Sequence, residues 1–214
     1  LLLGALCGLG GAIFNKCLLK SLDLYARLRM PGWAIGALAG AVVGIASGIY
    51  PGVAGSGGVI AERALAGEIA LHWLPLFLIA RFLLTMASYG SGAAGGIFAT
   101  LLVLGALGGL AFGHLANSAV PMWAAQPAAF AVIGMGGLLT AIVRAPLTGI
   151  VLMIELTGKY DFMLPLLACC LAAYGVAEGL RSAPIYESLR ERSKLLAAAK
   201  DTPPASSRGA SVPP

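Results

Sequence analysis

An all-α polytopic membrane protein is the fold class this sequence predicts, and three observations predict it. Of its 214 residues, 59% are hydrophobic and 11% charged, with a mean hydropathy of +0.90; a soluble domain carries about 25% charged residues. The apolar residues fall in successive segments, several shorter than the roughly 20 residues a straight span needs, and Gly and Pro separate them. Thirty glycines suit helices that pack backbone to backbone in lipid. Short, broken helices are tolerated at membrane depth only where they line a cavity or are covered by protein. Transporters use such discontinuous helices to aim half-helix ends at a substrate. The segmentation therefore predicts short, tilted and broken helices around an ion or solute pathway. The net charge of +5 lies mostly at segment ends, as membrane topology demands. It points to the lipid bilayer as a partner and not to nucleic acid.

Residues 1–20 form an apolar segment closed by Lys16 and Lys20, with Gly4 and Gly8 one turn apart on a face that can pack closely. The opening LLLGALCGLGG has no charged n-region and no initiator methionine. It is not a signal peptide and reads as a fragment whose N-terminal part lies outside this sequence. Residues 21–30 form a polar linker with Asp23, Arg27 and Arg29, ended by Pro31-Gly32. In residues 33–50, Gly36, Gly40, Gly44 and Gly48 line one helix face, which suits helix packing. Gly55-Ser56-Gly57-Gly58 opens a short helix to about Ala66, too short and, with Glu62 and Arg63, too polar to cross. Residues 72–86 are the next apolar helix, with His72 beside Trp73 at an interface and Arg81 inside. An intramembrane arginine is a functional candidate or the partner of another helix, and both readings stand for Arg81.

The organising stretch is residues 88–112, SYGSGAAGGIFATLLVLGALGGLAF. A glycine-rich loop opens into the N-terminus of a very apolar helix. The first amides of a helix lack internal partners, and the aligned peptide dipoles add about half a positive charge there. Such an end holds an anion without burying a full cation. Residues 116–127 then form a loop with two prolines and Trp123, and residues 128–143 another apolar helix. Arg144-Ala145-Pro146 breaks it, and residues 147–157 continue as a short helix carrying Glu155. After a turn at Gly158-Lys159-Tyr160-Asp161, residues 162–180 span the membrane and include Glu178. Ser182-Ala183-Pro184 leads into a final helix with Tyr186 in its first turn, soon charged by Glu187, Arg190, Glu191, Arg192 and Lys194. Two regions result: a transmembrane domain over residues 1–195 and a disordered, cytoplasmic Pro/Ser/Ala-rich tail over residues 196–214. Cys7, Cys17, Cys169 and Cys170 have no metal-ligand spacing and read as small core residues. No metal site, cofactor or catalytic residue is expected.

Gly96-Ile97-Phe98-Ala99 resembles the helix-opening G-x-F-x-P motif of the CLC chloride channels and proton/chloride exchangers. Around it, residues 91–99 (SGAAGGIFA) look like the family's SGAPGGIFAP run. Gly134-Met135-Gly136 and Arg144-Ala145-Pro146-Leu147-Thr148-Gly149 look like its GMGA and RAPLTG segments. Glu155-Leu156-Thr157 and Pro184-Ile185-Tyr186 look like its E-M/L-T and PLY endings. The resemblance covers residues 1 to about 195 and implies the second half of a CLC-like inverted-repeat fold. It implies an anion pathway in which Gly96, Ile97 and Phe98 present helix N-terminal amides to a chloride ion, and Tyr186 donates its hydroxyl from the cytoplasmic side. Amides and a hydroxyl bind the ion yet let it leave, as conduction requires.

Two further pathway candidates are Arg144 and Thr100. Arg144 either attracts anions to a vestibule or anchors a helix end. Thr100 stands where the family motif has proline. Glu155 and Glu178 are proton-path groups or structural pairs. The serine-bearing GSGIP and the glutamate-bearing G-K/R-E-G-P segments of the family do not occur in this sequence, so the gate lies elsewhere. The resemblance further implies a homodimer in a bacterial inner membrane, with chloride and protons as substrates and the N-terminal half of the same protein as a partner. It also places the basic stretch 16–29 outside, against the rule that basic loops stay in the cytoplasm. Two other readings remain: a broken-helix transporter of organic anions, and an intramembrane serine protease built on Ser91 and His114. The central helix holds that last pair about 25 Å apart.

Overall fold

A computed structural model describes residues 1–27, 32–49, 57–91, 97–119 and 126–201. Within them the chain forms α1 (Leu2–Arg27), α2 (Gly32–Ile49), α3 (Gly58–Leu65), α4 (Leu74–Gly90), α5 (Ile97–Ala119), α6 (Pro127–Val143), α7 (Pro146–Thr157), α8 (Met163–Gly179) and α9 (Ile185–Asp201), with a 3-10 turn at Tyr160–Phe162. No strand occurs among the described residues. The helix Leu2–Arg27, the helix Ile97–Ala119 and the run Tyr160–Gly179 are long and apolar enough to cross a bilayer, and four shorter apolar helices accompany them. This mixture is the broken-helix pattern expected from the sequence.

The centre of the molecule is the crossing of α5 and α6. A Cβ on Gly134 would lie 2.8 Å from the Cα of Gly109, and one on Gly105 would lie 2.6 Å from the Cα of Met135. Only hydrogen fits between the two backbones, which is how small residues let helices approach in lipid. Leu101, Leu104 and Leu107 of α5 and Leu139 and Ile142 of α6 fill the core beside this crossing. The glycine face of α1 packs on α8 and α6: Gly8 faces Ala173 and Val176, and Gly11 faces Ala141 and Ile142.

Several boundaries differ from the sequence reading. Residues 21–27, expected as a linker, continue α1 to Arg27; they contain no Gly or Pro to stop it, and polar side chains on an exposed helix face cost little. Likewise α5 runs to Ala119, past residue 116 where a loop is expected. The glycine stripe of α2 meets no neighbour among the described residues: nothing there lies within 4 Å of a Cβ placed at Gly36, Gly40, Gly44 or Gly48. Helix α9 continues to Asp201, past residue 195; residues 202–214, the rest of the expected tail, lie outside the described residues. Finally, Asp23 of α1 is ion-paired with Arg192 of α9. The basic end of α1 and the basic C-terminal helix therefore share one side of the molecule. That corrects the outside placement of stretch 16–29 and agrees with the positive-inside rule.

Candidate functional site

Helix α5 begins at Ile97, after a segment whose residues 92–96, Gly96 included, lie outside the described residues. The first-turn amides of α5 point back along its axis toward that segment. The Ile97 side chain is buried in the core, while Phe98 is 39% exposed. Ile97 is therefore packed into the core at the helix start, and Phe98 is partly exposed beside it. Thr100 is buried one turn in and accepts a hydrogen bond from Arg81 Nη2 at 3.5 Å. Arg81 is itself buried in α4, and its guanidinium also faces Gly57, the left-handed residue that opens α3. Arg81 thus ties the starts of α3 and α5 to α4.

Tyr186, in the first turn of α9, is half-exposed, and its neighbour Ile185 is fully buried. Tyr89 is the penultimate residue of α4. Gly90 follows, with the ring of Tyr25 against it. Two open grooves lie elsewhere. One, of about 310 Å³, is apolar and runs between α1, α4 and α5 past Phe14, Phe82 and Leu104. The other passes Arg63, Glu68 and Trp73. Ile97, Phe98 and Tyr186 line neither.

Arg144 caps α6 in the left-handed region, φ 67°, with its amide bonded to the carbonyl of Thr140 at 2.9 Å. A side chain other than glycine is strained there, and the bonds Arg144 makes offset that strain. Its Nη1 donates to Glu178 Oε2 at 2.8 Å and to the Tyr174 carbonyl at 3.2 Å, and its Nη2 donates to the Ser182 carbonyl at 2.7 Å. The guanidinium also stacks 5.3 Å from the Tyr174 ring. Arg144 therefore fastens the α6–α7 break to the end of α8, and Glu178 is its ion-pair partner. Pro146 then starts α7 at a position where its missing N–H costs nothing.

Sequence reasoning passed over Asn15. It is 2% exposed in α1, and its Nδ2 reaches the carbonyl of Ala183 at 3.0 Å, Ser182 Oγ at 3.4 Å and the carbonyl of Ile142 at 3.4 Å. The available signal is an amide directly after the apolar run of residues 1–14, at a depth where polar side chains are expensive to bury. Ser91 and His114 do not form a nucleophile–base pair: Ser91 Oγ donates to the Ser88 carbonyl at 2.7 Å, and His114 lies far along α5. The four cysteines are free, three of them buried.

Comparison with known proteins bears on this arrangement. The family model described as voltage gated chloride channel matches residues 1–178. The H(+)/Cl(-) exchange transporter ClcA of Yersinia pestis bv. Antiqua is 37% identical over 196 residues, 90% of this chain and 41% of that protein. The ClcA of Vibrio parahaemolyticus is 41% identical over 90% of this chain and 42% of its own length. A crystal structure described as a slow cyanobacterial Cl-/H+ antiporter superposes with a TM-score of 0.82 at 41% identity, over 90% of this chain and 45% of that one. A eukaryotic CLC transporter superposes at 0.74 and 27% identity, over 88% of this chain and 33% of its own. The chain thus spans about two-fifths of the length of the curated relatives it matches.

Proposed function

Because the chain belongs to the voltage-gated chloride channel family, we propose that it supplies one wall of a chloride pathway in a proton/chloride exchanger of a bacterial inner membrane. The observation that carries this reading is the start of α5. A helix N-terminus is anchored in the core by buried Ile97, inside a chain similar over 90% of its length to proteins named H(+)/Cl(-) exchange transporters. Its amides at Gly96, Ile97 and Phe98 hold a dehydrated chloride, and Tyr186 donates to the same ion from the cytoplasmic side. Fixed dipoles provide the attraction without a cation in direct contact, so the ion can also leave. Thr100 and Arg144 are supports of the pathway: Thr100 lies beneath the amides, and Arg144 holds the break between α6 and α7. The cyanobacterial relative and ClcA are described as exchanging chloride for protons, which favours exchange over a channel. The gating and proton-transfer groups come from a further segment packed against this one, and two copies form a homodimer. No cofactor takes part.

The test is ion flux. The complete gene product, reconstituted in liposomes with a chloride gradient, should export chloride and move protons in the opposite direction. Chloride flux without proton movement would make it a channel, and absence of halide flux would refute the reading.

A further inference from the structure

The segment that leads into α9 is held from both sides by buried polar side chains. Helix α8 closes with Arg181 in the left-handed region, φ 50°. The amide of Arg181 bonds to Glu178 at 2.8 Å and that of Ser182 to Ala177 at 3.2 Å. This paired closure turns the chain sharply out of the helix. Three residues later α9 begins. Across that short strap, Asn15 of α1 holds the carbonyl of Ala183 at 3.0 Å, and Arg144 holds the carbonyl of Ser182 at 2.7 Å. Ile185 plugs into the core with no exposure. The next residue is Tyr186.

We propose that Asn15 and Arg144 are positioning residues for Tyr186, fixing where its hydroxyl stands relative to the start of α5. The proposal rests on the reading of Tyr186 as a chloride ligand. An apolar side chain at residue 15 would pack among its neighbours without the desolvation cost of an amide. What the amide adds is direction. Its two N–H groups are shared among three acceptors on α6 and the strap, and the bonds to Ile142 and Ser182 are buried, where a hydrogen bond is stronger than in water. The outer part of α9 is secured more weakly, by the Asp23–Arg192 pair, whose Asp23 side chain is 56% exposed; exposed pairs contribute little. The strap is therefore where the orientation of Tyr186 is set.

A double-mutant cycle tests this in the complete gene product, with chloride titrated by calorimetry and folding checked by thermal unfolding in each sample. Tyr186→Phe should weaken chloride binding about tenfold, as loss of a hydrogen bond to a charged group does. Asn15→Leu should weaken it about threefold or more alone and add almost nothing in the Tyr186→Phe background, because residues that act through one another are not additive. If Asn15→Leu leaves affinity unchanged, or lowers it equally in both backgrounds, the proposal is overturned while the ligand reading of Tyr186 stands. If Tyr186→Phe itself leaves affinity unchanged, the ligand reading fails and takes the proposal with it. Should Asn15→Leu not fold, Arg144→Lys, which keeps the charge but loses the fork reaching Ser182, enters the same cycle with the same outcomes.

Discussion

Asp23 near the C-terminal end of α1 and Arg192 in α9 form an ion pair across 169 residues of sequence. Asp23 is exposed and Arg192 half-buried, so the pair itself contributes no more than about 1 kcal/mol. Its importance is topological. A bilayer cannot lie between two touching side chains, so the basic end of α1 and the basic final helix face one compartment.

A labelling experiment checks this. In sealed vesicles, Asp23→Cys and Arg192→Cys variants should react with a membrane-impermeant maleimide from the same side. The double variant should form a disulfide under mild oxidation. Labelling from opposite sides would exclude the placement of α9 against α1.

Arg144 and Glu178 are joined at 2.8 Å, with side-chain exposures of 8% and 68%. The asymmetry separates their substitutions. Glu178→Gln removes an exposed charge and should cost under about 1 kcal/mol, with proton coupling intact if Glu178 is a structural partner only. Arg144→Ala leaves the carbonyl of Ser182 without its donor and removes the stacking on Tyr174, and should cost about 1–3 kcal/mol. Thermal unfolding and the proton-to-chloride ratio of the two variants distinguish these roles; a lowered ratio in Glu178→Gln would place that carboxylate on the proton path.

At the α5–α6 crossing, Gly109→Ala puts a methyl group into the backbone of Phe130 and Ala131, which cannot retreat. Helix propensity alone would favour alanine by about 1 kcal/mol. Steric overlap dominates, and we expect net destabilisation of about 1–3 kcal/mol, as in other overpacked cores. A raised unfolding temperature would mean that the helices are farther apart than 2.8 Å contacts imply.

The parts of the fold legible in the sequence are those that local composition controls. Pro31-Gly32, Pro127 and Pro146 mark helix starts, and the Gly4–Gly8 face announces a close neighbour, found on α8. The motif around Ile97 was legible because it combines a glycine-rich loop with an uninterrupted apolar run. What was not legible depends on contacts distant in sequence. Nothing near residue 15 says that its amide will meet residue 183, and nothing near Arg144 chooses between a vestibule and the carbonyl of Ser182. The extension of α1 to Arg27 is hidden by the polarity of residues 21–27, which suits an exposed helix face as well as it suits a linker.

Thr100 poses the last question, because it stands where the motif it resembles has proline. Its hydroxyl accepts from buried Arg81, so the threonine gives that guanidinium an acceptor which proline cannot offer. Thr100→Pro should therefore lower stability by about 1 kcal/mol, the loss of one long hydrogen bond. It should leave chloride affinity within about twofold, since the amides of Ile97 and Phe98 precede it and proline suits the start of a helix. Calorimetric chloride titration beside thermal unfolding reads both quantities. If the variant instead raised anion turnover severalfold, the threonine would be loosening the start of α5, and the amides there would not be as rigidly aimed as the buried Ile97 side chain implies.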